Sequence, residues 1–316
     1  MASPDGPDGI VLVDKPAGWT SHDVVARMRR VLGTRKVGHG GTLDPMATGL
    51  LVIAAGRATR LLTYYSAGTK AYEATVRLGA STITDDAEGD VISVVDASSV
   101  TPEAITKAVS ALTGDIMQRP SSVSAIKVDG QRAYARVRGG EDVELAARPV
   151  TVSQFEVLET RIVAGEPGHT FVDLDIAVTV SSGTYVRALA RDLGDALGVG
   201  GHLTALRRTQ VGGLGLDGAL TVDQLTAIAE SGEQVPLVSL AGAASAVLPV
   251  VEVSAAEAAS LGYGQMIAAR PGVSPEGDAV AMCAGVAVAV IRAHQGKWKP
   301  AIVFEPARSA PPGAAQ

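Results

Sequence analysis

Period-two alternation of apolar and polar residues is the strongest constraint on how this chain can fold. In AYEATVRLG (71–79), Tyr72, Ala74, Val76 and Leu78 fall on one face and Glu73, Thr75 and Arg77 on the other. FVDLDIAVTV (171–180) repeats the pattern, with Val172, Leu174, Ile176, Val178 and Val180 facing inward. An extended strand turns successive side chains to opposite faces, so both segments belong to a sheet with a buried side. GIVLVDKP (9–16) adds a short apolar strand stopped by Pro16. Helical spacing governs other stretches. In TSHDVVARMRRVL (20–32), Thr20 and Asp23 form a capping box, and Val24, Val25, Met28, Val31 and Leu32 share a face. Gly33 ends that helix, and Arg27, Arg29 and Arg30 lie opposite its apolar stripe. Thr101, Pro102 and Gly114 bracket a second helix. TYVRALARDLGDALG predicts a third, with Val186, Leu189, Ala190, Leu193 and Leu197 on one face. LLVIAAG (50–56) is continuously apolar, and periodicity leaves it as a strand or a short helix.

The texture changes near residue 246. Short apolar runs (LPVVEV, DAVAMC, VAVAVIR, AIVFEP) alternate with Gly/Pro breaks and no long helix, the pattern of a small β-domain. The expected organisation is a disordered tail at 1–8, a large domain at 9–245, a small domain at 246–306 and a second disordered tail at 307–316. A length of 316 residues suits two domains. Aromatics are only 3% of the chain, so the core must rest on Val, Leu, Ile and Ala, and each aromatic is a candidate for a special role. The single cysteine, Cys283, excludes an internal disulfide and a Cys-rich zinc site. His22, His39, His169, His202 and His294 are scattered, so no metal site is expected. The acidic N-terminus has no apolar h-region, and the longest nearly apolar run, Ala279 to Ile291, is too short to span a bilayer. The expectation is a cytoplasmic protein without membrane contact.

The run VGHGGTLDPMATGLL (37–51) packs Gly38, Gly40, Gly41 and Gly49 around one carboxylate, Asp44. Pro45 keeps Asp44 out of helical geometry. The glycines allow close backbone approach. Composition alone is compatible with a plain turn containing Asp44 as a turn former. The run is not a Walker loop, because no Gly-Lys-Ser/Thr follows, and it lacks the Asp-Thr-Gly of aspartic proteases.

The whole string GHGGTLDPMATGLL resembles the catalytic motif of TruB-type tRNA pseudouridine synthases of the bacterial stand-alone kind. Further blocks agree in order and spacing: KPAGWTSHDVV (15–25), KAYEATVRLG (70–79), TDDAEG (84–89), QRPSSVSAIKVDGQRAYARVRGG (118–140), SSGTYVRALARDLG (181–194) and GGHLTALRRTQVG (200–212). The resemblance covers roughly residues 9–240. Val123 stands where relatives carry an aromatic residue, and KWKPAIVF (297–304) resembles the closing strand of a PUA-type RNA-binding domain. The implied fold is α+β: a central mixed, largely antiparallel sheet flanked by helices, an RNA-gripping insertion at about 118–142, and a small C-terminal PUA-like β-domain.

The resemblance implies conversion of uridine to pseudouridine at position 55 in the TΨC arm of tRNA. That isomerisation involves no redox change and needs no cofactor. It implies Asp44 as catalytic carboxylate, nucleophile or base toward the ribose. It implies Arg187 as its partner, since an adjacent arginine favours an ionised carboxylate. Tyr72 would stack on the flipped uracil and move a proton at the base. Tyr185 and Leu206 would line the uracil pocket, His39 would hold distorted RNA, and Asp86 would contact the flipped nucleotide. Without the resemblance, Tyr72, Tyr185 and Leu206 read as core residues, His39 as a loop histidine and Arg187 as a surface arginine. Lys15 and Lys70 read as structural or phosphate-facing rather than catalytic.

Net charge is −6, mildly unfavourable for a nucleic-acid partner, but local patches decide phosphate binding. Arg27, Arg29, Arg30, Arg35 and Lys36 form one basic cluster; Arg119, Lys127, Arg132, Arg136 and Arg138 form another, opposed by Asp129. Arg119, Lys127, Arg132 and Arg136 are the expected RNA-backbone contacts. No protein partner is expected and the chain reads as a monomer. Three rivals stand beside this reading. A non-catalytic tRNA-binding protein or chaperone predicts loss of Asp44, Arg187 or Tyr72, and all three are present. A guide-RNA-dependent synthase predicts no basic insertion at 118–140. A glycosidase needs a second carboxylate beside Asp44, absent nearby in sequence although the fold could supply one.

Overall fold

A computed structural model describes residues 7–121, 127–128, 131–132, 145–165, 168–270 and 277–306, the two dipeptides by backbone alone. Val123, Arg136, Arg138 and both predicted tails beyond 7 and 306 lie outside the described residues. The first half contains β1 (Gly9–Lys15), α1 (Ser21–Val31), β2 (Val37–His39), β3 (Thr48–Ala55), α2 (Leu62–Ala67), β4 (Lys70–Leu78), β5 (Ala80–Thr82), β6 (Val91–Val94), α3 (Pro102–Ala111), β7 (Gly114–Gln118), β8 (Lys127–Val128) and β9 (Gln131–Arg132). The second half contains β10 (Arg148–Ala164), β11 (Thr170–Val180), α4 (Val186–Ala196), β12 (Gly201–Val211), β13 (Leu214–Gly215), β14 (Leu220–Thr221), α5 (Val222–Glu230) and α6 (Leu240–Ser245). It ends with β15 (Val250–Glu252), α7 (Ala255–Gly262), β16 (Ile267–Ala268), β17 (Asp278–Cys283), β18 (Val286–His294) and β19 (Lys297–Val303).

The large sheet runs β14-β1-β3-β12-β4-β11-β10-β7, with β2 and β13 attached at the side. The β1/β14 and β12/β3 pairs are parallel and the other pairs antiparallel. This is the mixed, largely antiparallel sheet expected. The alternating strands behave as their pattern demands: Tyr72, Ala74, Val76, Leu78, Val172, Leu174, Ile176, Val178 and Val180 are all buried. The capping box of α1 is formed, Thr20 accepting from the Asp23 amide and Asp23 from the Thr20 amide.

Residues 50–55 lie in strand β3, and the ambiguity has a physical cause. Leu51, Ile53 and Ala55 join one core with α1, α3, α4 and α5. Leu50, Val52 and Ala54 join a second core on the opposite face. A strand buried on both faces loses its alternation and reads as a continuous apolar run. That second core includes Tyr65 of α2, Ala243 of α6, Val280, Met282 and Val290 of the smaller sheet, and Phe304 just beyond it.

The smaller sheet has the order β15-β17-β18-β19-β16. The short helix α7 packs on it through Leu261, beside the fully buried Trp298. The sequence reading passed over α7, although Ser254 and Glu257 form a capping box there. The chain therefore forms a large mixed sheet with helices and a separate C-terminal β-sheet, and their facing surfaces share one apolar cluster.

Candidate active site

The loop between β2 and β3 carries Asp44, and its backbone is pinned from Gly41 to Pro45. The Arg208 guanidinium donates to the Gly41 and Thr42 carbonyls (3.2 and 3.1 Å) and to Leu50 on β3 (2.8 Å). The Ser21 hydroxyl donates to the Leu43 carbonyl (3.2 Å) and accepts from the Leu43 amide (2.9 Å). The Asp44 carbonyl accepts from Ala47 (3.1 Å). The Pro45 carbonyl accepts from the Gly18 amide (2.8 Å) and the Lys15 ammonium (3.1 Å). Five consecutive carbonyls, 41 to 45, are thus held, and the turn is a rigid platform for one carboxylate.

Two of the pinning cations, Lys15 and Arg208, are fully buried. Lys15 also donates to the Pro16 and Trp19 carbonyls, both at 2.8 Å. Burial lowers its pKa to about 8, with Asp44 pulling the other way. Lys70 donates to the Ser66 and Gly68 carbonyls (2.9 and 2.8 Å), and burial lowers it to about 8 as well. Both lysines hold chain turns, the structural alternative of the two left open for them.

Arg187, in the first turn of α4, is buried and donates from Nε to Asp44 Oδ2 at 2.9 Å. The Asp44 side chain keeps 36% of its surface exposed, so the pair is anchored on the protein side and open on the other. A second arm of Arg187 donates to the Thr84 carbonyl (2.8 Å) and lies 3.5 Å from Asp86 Oδ2. Asp86 is buried and accepts from the Thr84 hydroxyl and the Glu88 amide. The fold thus supplies the second carboxylate missing from the neighbourhood of Asp44 in sequence, and one arginine bridges both acids.

Tyr72 on β4 and Leu206 on β12 are buried on adjacent strands and share the helix-side core with Leu43 and Val186. Tyr185 precedes α4, and both its backbone polar groups are held by one side chain. The Gln118 amide accepts from Tyr185 N (2.8 Å) and donates to Tyr185 O (3.1 Å). His39, on β2, is not joined to the Asp44–Arg187–Asp86 set by any hydrogen bond or ion pair among the described residues. Its ring meets that of His22 edge-on at 5.5 Å. Burial, then His22, push its pKa down.

Arg119 is exposed just beyond β7. Lys127 and Arg132 are backbone register partners in the β8/β9 pair. Arg29, Arg30, Arg35 and Lys36 are exposed around the end of α1, with Arg27 half-buried.

Sequence reasoning missed Ser21, Gln118, Asp85, Arg191 and Arg208. For Arg208 a signal existed. Two successive arginines on a strand must face opposite ways, so one of Arg207 and Arg208 had to point inward. Arg207 pairs with Asp14 at 2.8 Å, and Arg208 is the buried one.

Solved structures share this architecture. A Cbf5-Nop10-Gar1 complex chain matches with TM-score 0.67 and 27% identity over 93% of this chain and 84% of that one. A chain of an H/ACA RNP bound to a substrate RNA containing 2′-deoxyuridine matches with TM-score 0.69 and 26% identity, over 97% and 92%. The fold is that of the pseudouridine synthases. The model of the TruB family pseudouridylate synthase N-terminal domain matches residues 29–186. That of the tRNA pseudouridylate synthase B C-terminal domain matches residues 187–246. tRNA pseudouridine synthase B of Arthrobacter sp. (strain FB24) is 55% identical over 310 residues, 96% of this chain and 98% of that protein. Its counterpart in Corynebacterium efficiens is 54% identical over 289 residues, covering 89% and 94%. The chain belongs to the TruB family of pseudouridylate synthases. It is an isomerase that pseudouridylates tRNA. Among the described residues no helix is long and apolar enough to cross a membrane.

Proposed function

We propose that this enzyme converts the uridine at position 55 in the TΨC loop of tRNA to pseudouridine, without a cofactor and through Asp44. The observation that carries the reading is the Asp44–Arg187 pair on a loop with five consecutive carbonyls held. Catalysis at a sugar–base junction needs a carboxylate fixed in place before the substrate arrives, and pre-organisation of this kind supplies it.

The target base is flipped out of the RNA stack to reach the carboxylate. Asp44 then acts on the ribose as nucleophile or base while the glycosidic C–N bond breaks. The uracil turns, C1′ bonds to C5, the C5 proton leaves and N1 gains a proton. Tyr72 stacks on the base and its phenol moves a proton there. Leu206 and Tyr185 line the uracil pocket, Asp86 contacts the flipped nucleotide and His39 holds the distorted strand. Arg119, Lys127, Arg132 and Arg136 grip phosphates. Residues 9–245 form the catalytic domain and 246–306 a PUA-like RNA-binding domain. The enzyme acts as a monomer without guide RNA or protein partner. High identity to bacterial relatives across nearly the whole chain supports that choice over the guide-dependent alternative.

The test uses purified protein alone with an unmodified tRNA transcript, mapping pseudouridine. Product at position 55 with wild type and none with Asp44→Asn is expected. Product elsewhere, a requirement for added guide RNA, or undiminished product with Asp44→Asn would sink the reading.

A further inference from the structure

Arg191 lies one helical turn beyond Arg187 on α4, so the two side chains emerge on the same face. Both reach the acidic turn that joins β5 to β6. Arg187 takes the Thr84 carbonyl and Asp86. Arg191 takes the residue between them, pairing with Asp85 at 3.2 Å. Three successive residues are thus divided between two arginines. The division coincides with a left-handed backbone at Asp85, φ 60°, a conformation Asp tolerates better than most residues. Asp85 is buried; burial raises its pKa, while Ser121, Arg191 and Arg187 oppose the rise. Its carbonyl is fixed as well, accepting from the Leu203 amide on β12 (3.0 Å).

The other arm of Arg191 donates to the Arg119 carbonyl at 2.7 Å, immediately after β7. Asp192 braces the same guanidinium at 2.8 and 3.0 Å. One side chain therefore ties together α4, the acidic turn and the end of β7. The helix is a firm reference, since Leu189, Ala190 and Leu193 are fully buried against the sheet.

We propose that Arg191 is a positioning residue for pseudouridylation. Through Asp85 it sets the turn that presents Asp86 and the Thr84 carbonyl to Arg187. Through the Arg119 carbonyl it holds the end of β7 in register with that turn. The proposal rests on Asp44 and Arg187 being the catalytic pair. It assigns Asp85 and Arg191 to the geometry of the chemical step rather than to contact with tRNA.

The experiment uses full-length protein and tRNA labelled with C5-tritiated uridine, whose label is released as the new C–C bond forms. Single-turnover rate, tRNA Kd and Tm are measured for Arg191→Met, Asp85→Asn and the double variant. Arg191→Met strands a buried carboxylate and should lower Tm. Its rate should fall about tenfold to a hundredfold, with Kd changed by less than about twofold. Adding Asp85→Asn removes the more deeply buried of the two carboxylates that Arg191 pairs and should restore part of the Tm, while the rate stays low. A merely structural ion pair makes the opposite prediction: rate per folded molecule is unchanged in Arg191→Met, or returns with Tm in the double variant. Either result overturns the proposal. If Arg191→Met does not fold, Arg191→Lys replaces it. A lysine keeps the charge facing Asp85 but lacks the planar fork that also reaches the Arg119 carbonyl, so a reduced rate in a folded protein is expected. A wild-type rate in Arg191→Lys overturns the proposal too. Asp44→Asn, run beside these, reports separately on the catalytic pair: a full rate there removes the underlying reading whatever Arg191 does.

Discussion

Asp44 gains its surroundings from residues that lie far from it in sequence. Arg187 is 143 positions away, and the lysine and arginine that pin its loop come from β1 and β12. Tyr72 is where residue-level roles can be separated. On the proposed roles, Tyr72→Phe should keep tRNA affinity within a few-fold and abolish turnover, because a phenylalanine ring can stack but has no phenol to move a proton. Turnover close to wild type would remove the proton-transfer role. Lys15 yields a pH prediction with two signs. Its folded pKa of about 8 lies below the ordinary 10.5, so the unfolded chain holds more protons between those values. This group's contribution to stability therefore rises with pH across that window. The rate should do the reverse, falling as pH passes about 8, because the neutral amine loses a donor to the carbonyls that hold the Asp44 loop. A rate profile flat to about pH 10, measured with saturating tRNA, would count against that coupling.

At the scale of elements, the β3/β12 contact holds the Asp44 loop, and Gly49 pairs with Arg208 there. Gly49 has φ +96°, and a Cβ there would sit 2.3 Å from the Arg208 carbonyl oxygen. Gly49→Ala must strain the backbone or push β12 away, carrying Arg208 from the carbonyls it holds. The expected loss is about 1–3 kcal/mol or more, read by denaturant unfolding, with a lower rate in the surviving folded fraction. An alanine variant of unchanged stability would show that β12 yields freely. The signal for this contact was in the sequence as one glycine among four around Asp44. Which glycine meets which strand depended on the parallel register of β3 against β12, and no local pattern encodes that register.

For the whole molecule, the two sheets are joined through an apolar interface. Val280, Met282, Val290 and Phe304 cover the face of the large sheet formed by Ile10, Leu50 and Val52. The Tyr64 hydroxyl donates to Asp278, and Arg57 reaches the Phe304 carbonyl at 2.9 Å. A chain ending at residue 246 should expose that face and show a lower Tm and aggregation, measured by thermal denaturation and light scattering. A monodisperse truncated protein with wild-type Tm would mean the interface contributes little. Net charge is −6, yet tRNA affinity should weaken with salt, by roughly 0.7–0.9 log units per tenfold salt for each phosphate contact. A salt-independent Kd would contradict the basic clusters as the grip on RNA.

The sequence by itself determined the local elements and the chemistry-bearing run. Alternation made the strands at 71–79 and 171–180 legible, capping boxes marked α1, and the string around Asp44 resembled a family motif. These signals are local, and side-chain periodicity or a short motif carries them. Burial on both faces hid β3, and short length hid α7. Tertiary structure alone decided how a Gly-rich turn became rigid. It brought Ser21, Lys15 and Arg208 onto four of the five carbonyls and set Arg187 between two acids. Such contacts join residues far apart in the chain, so they exist only once strand order and register are complete.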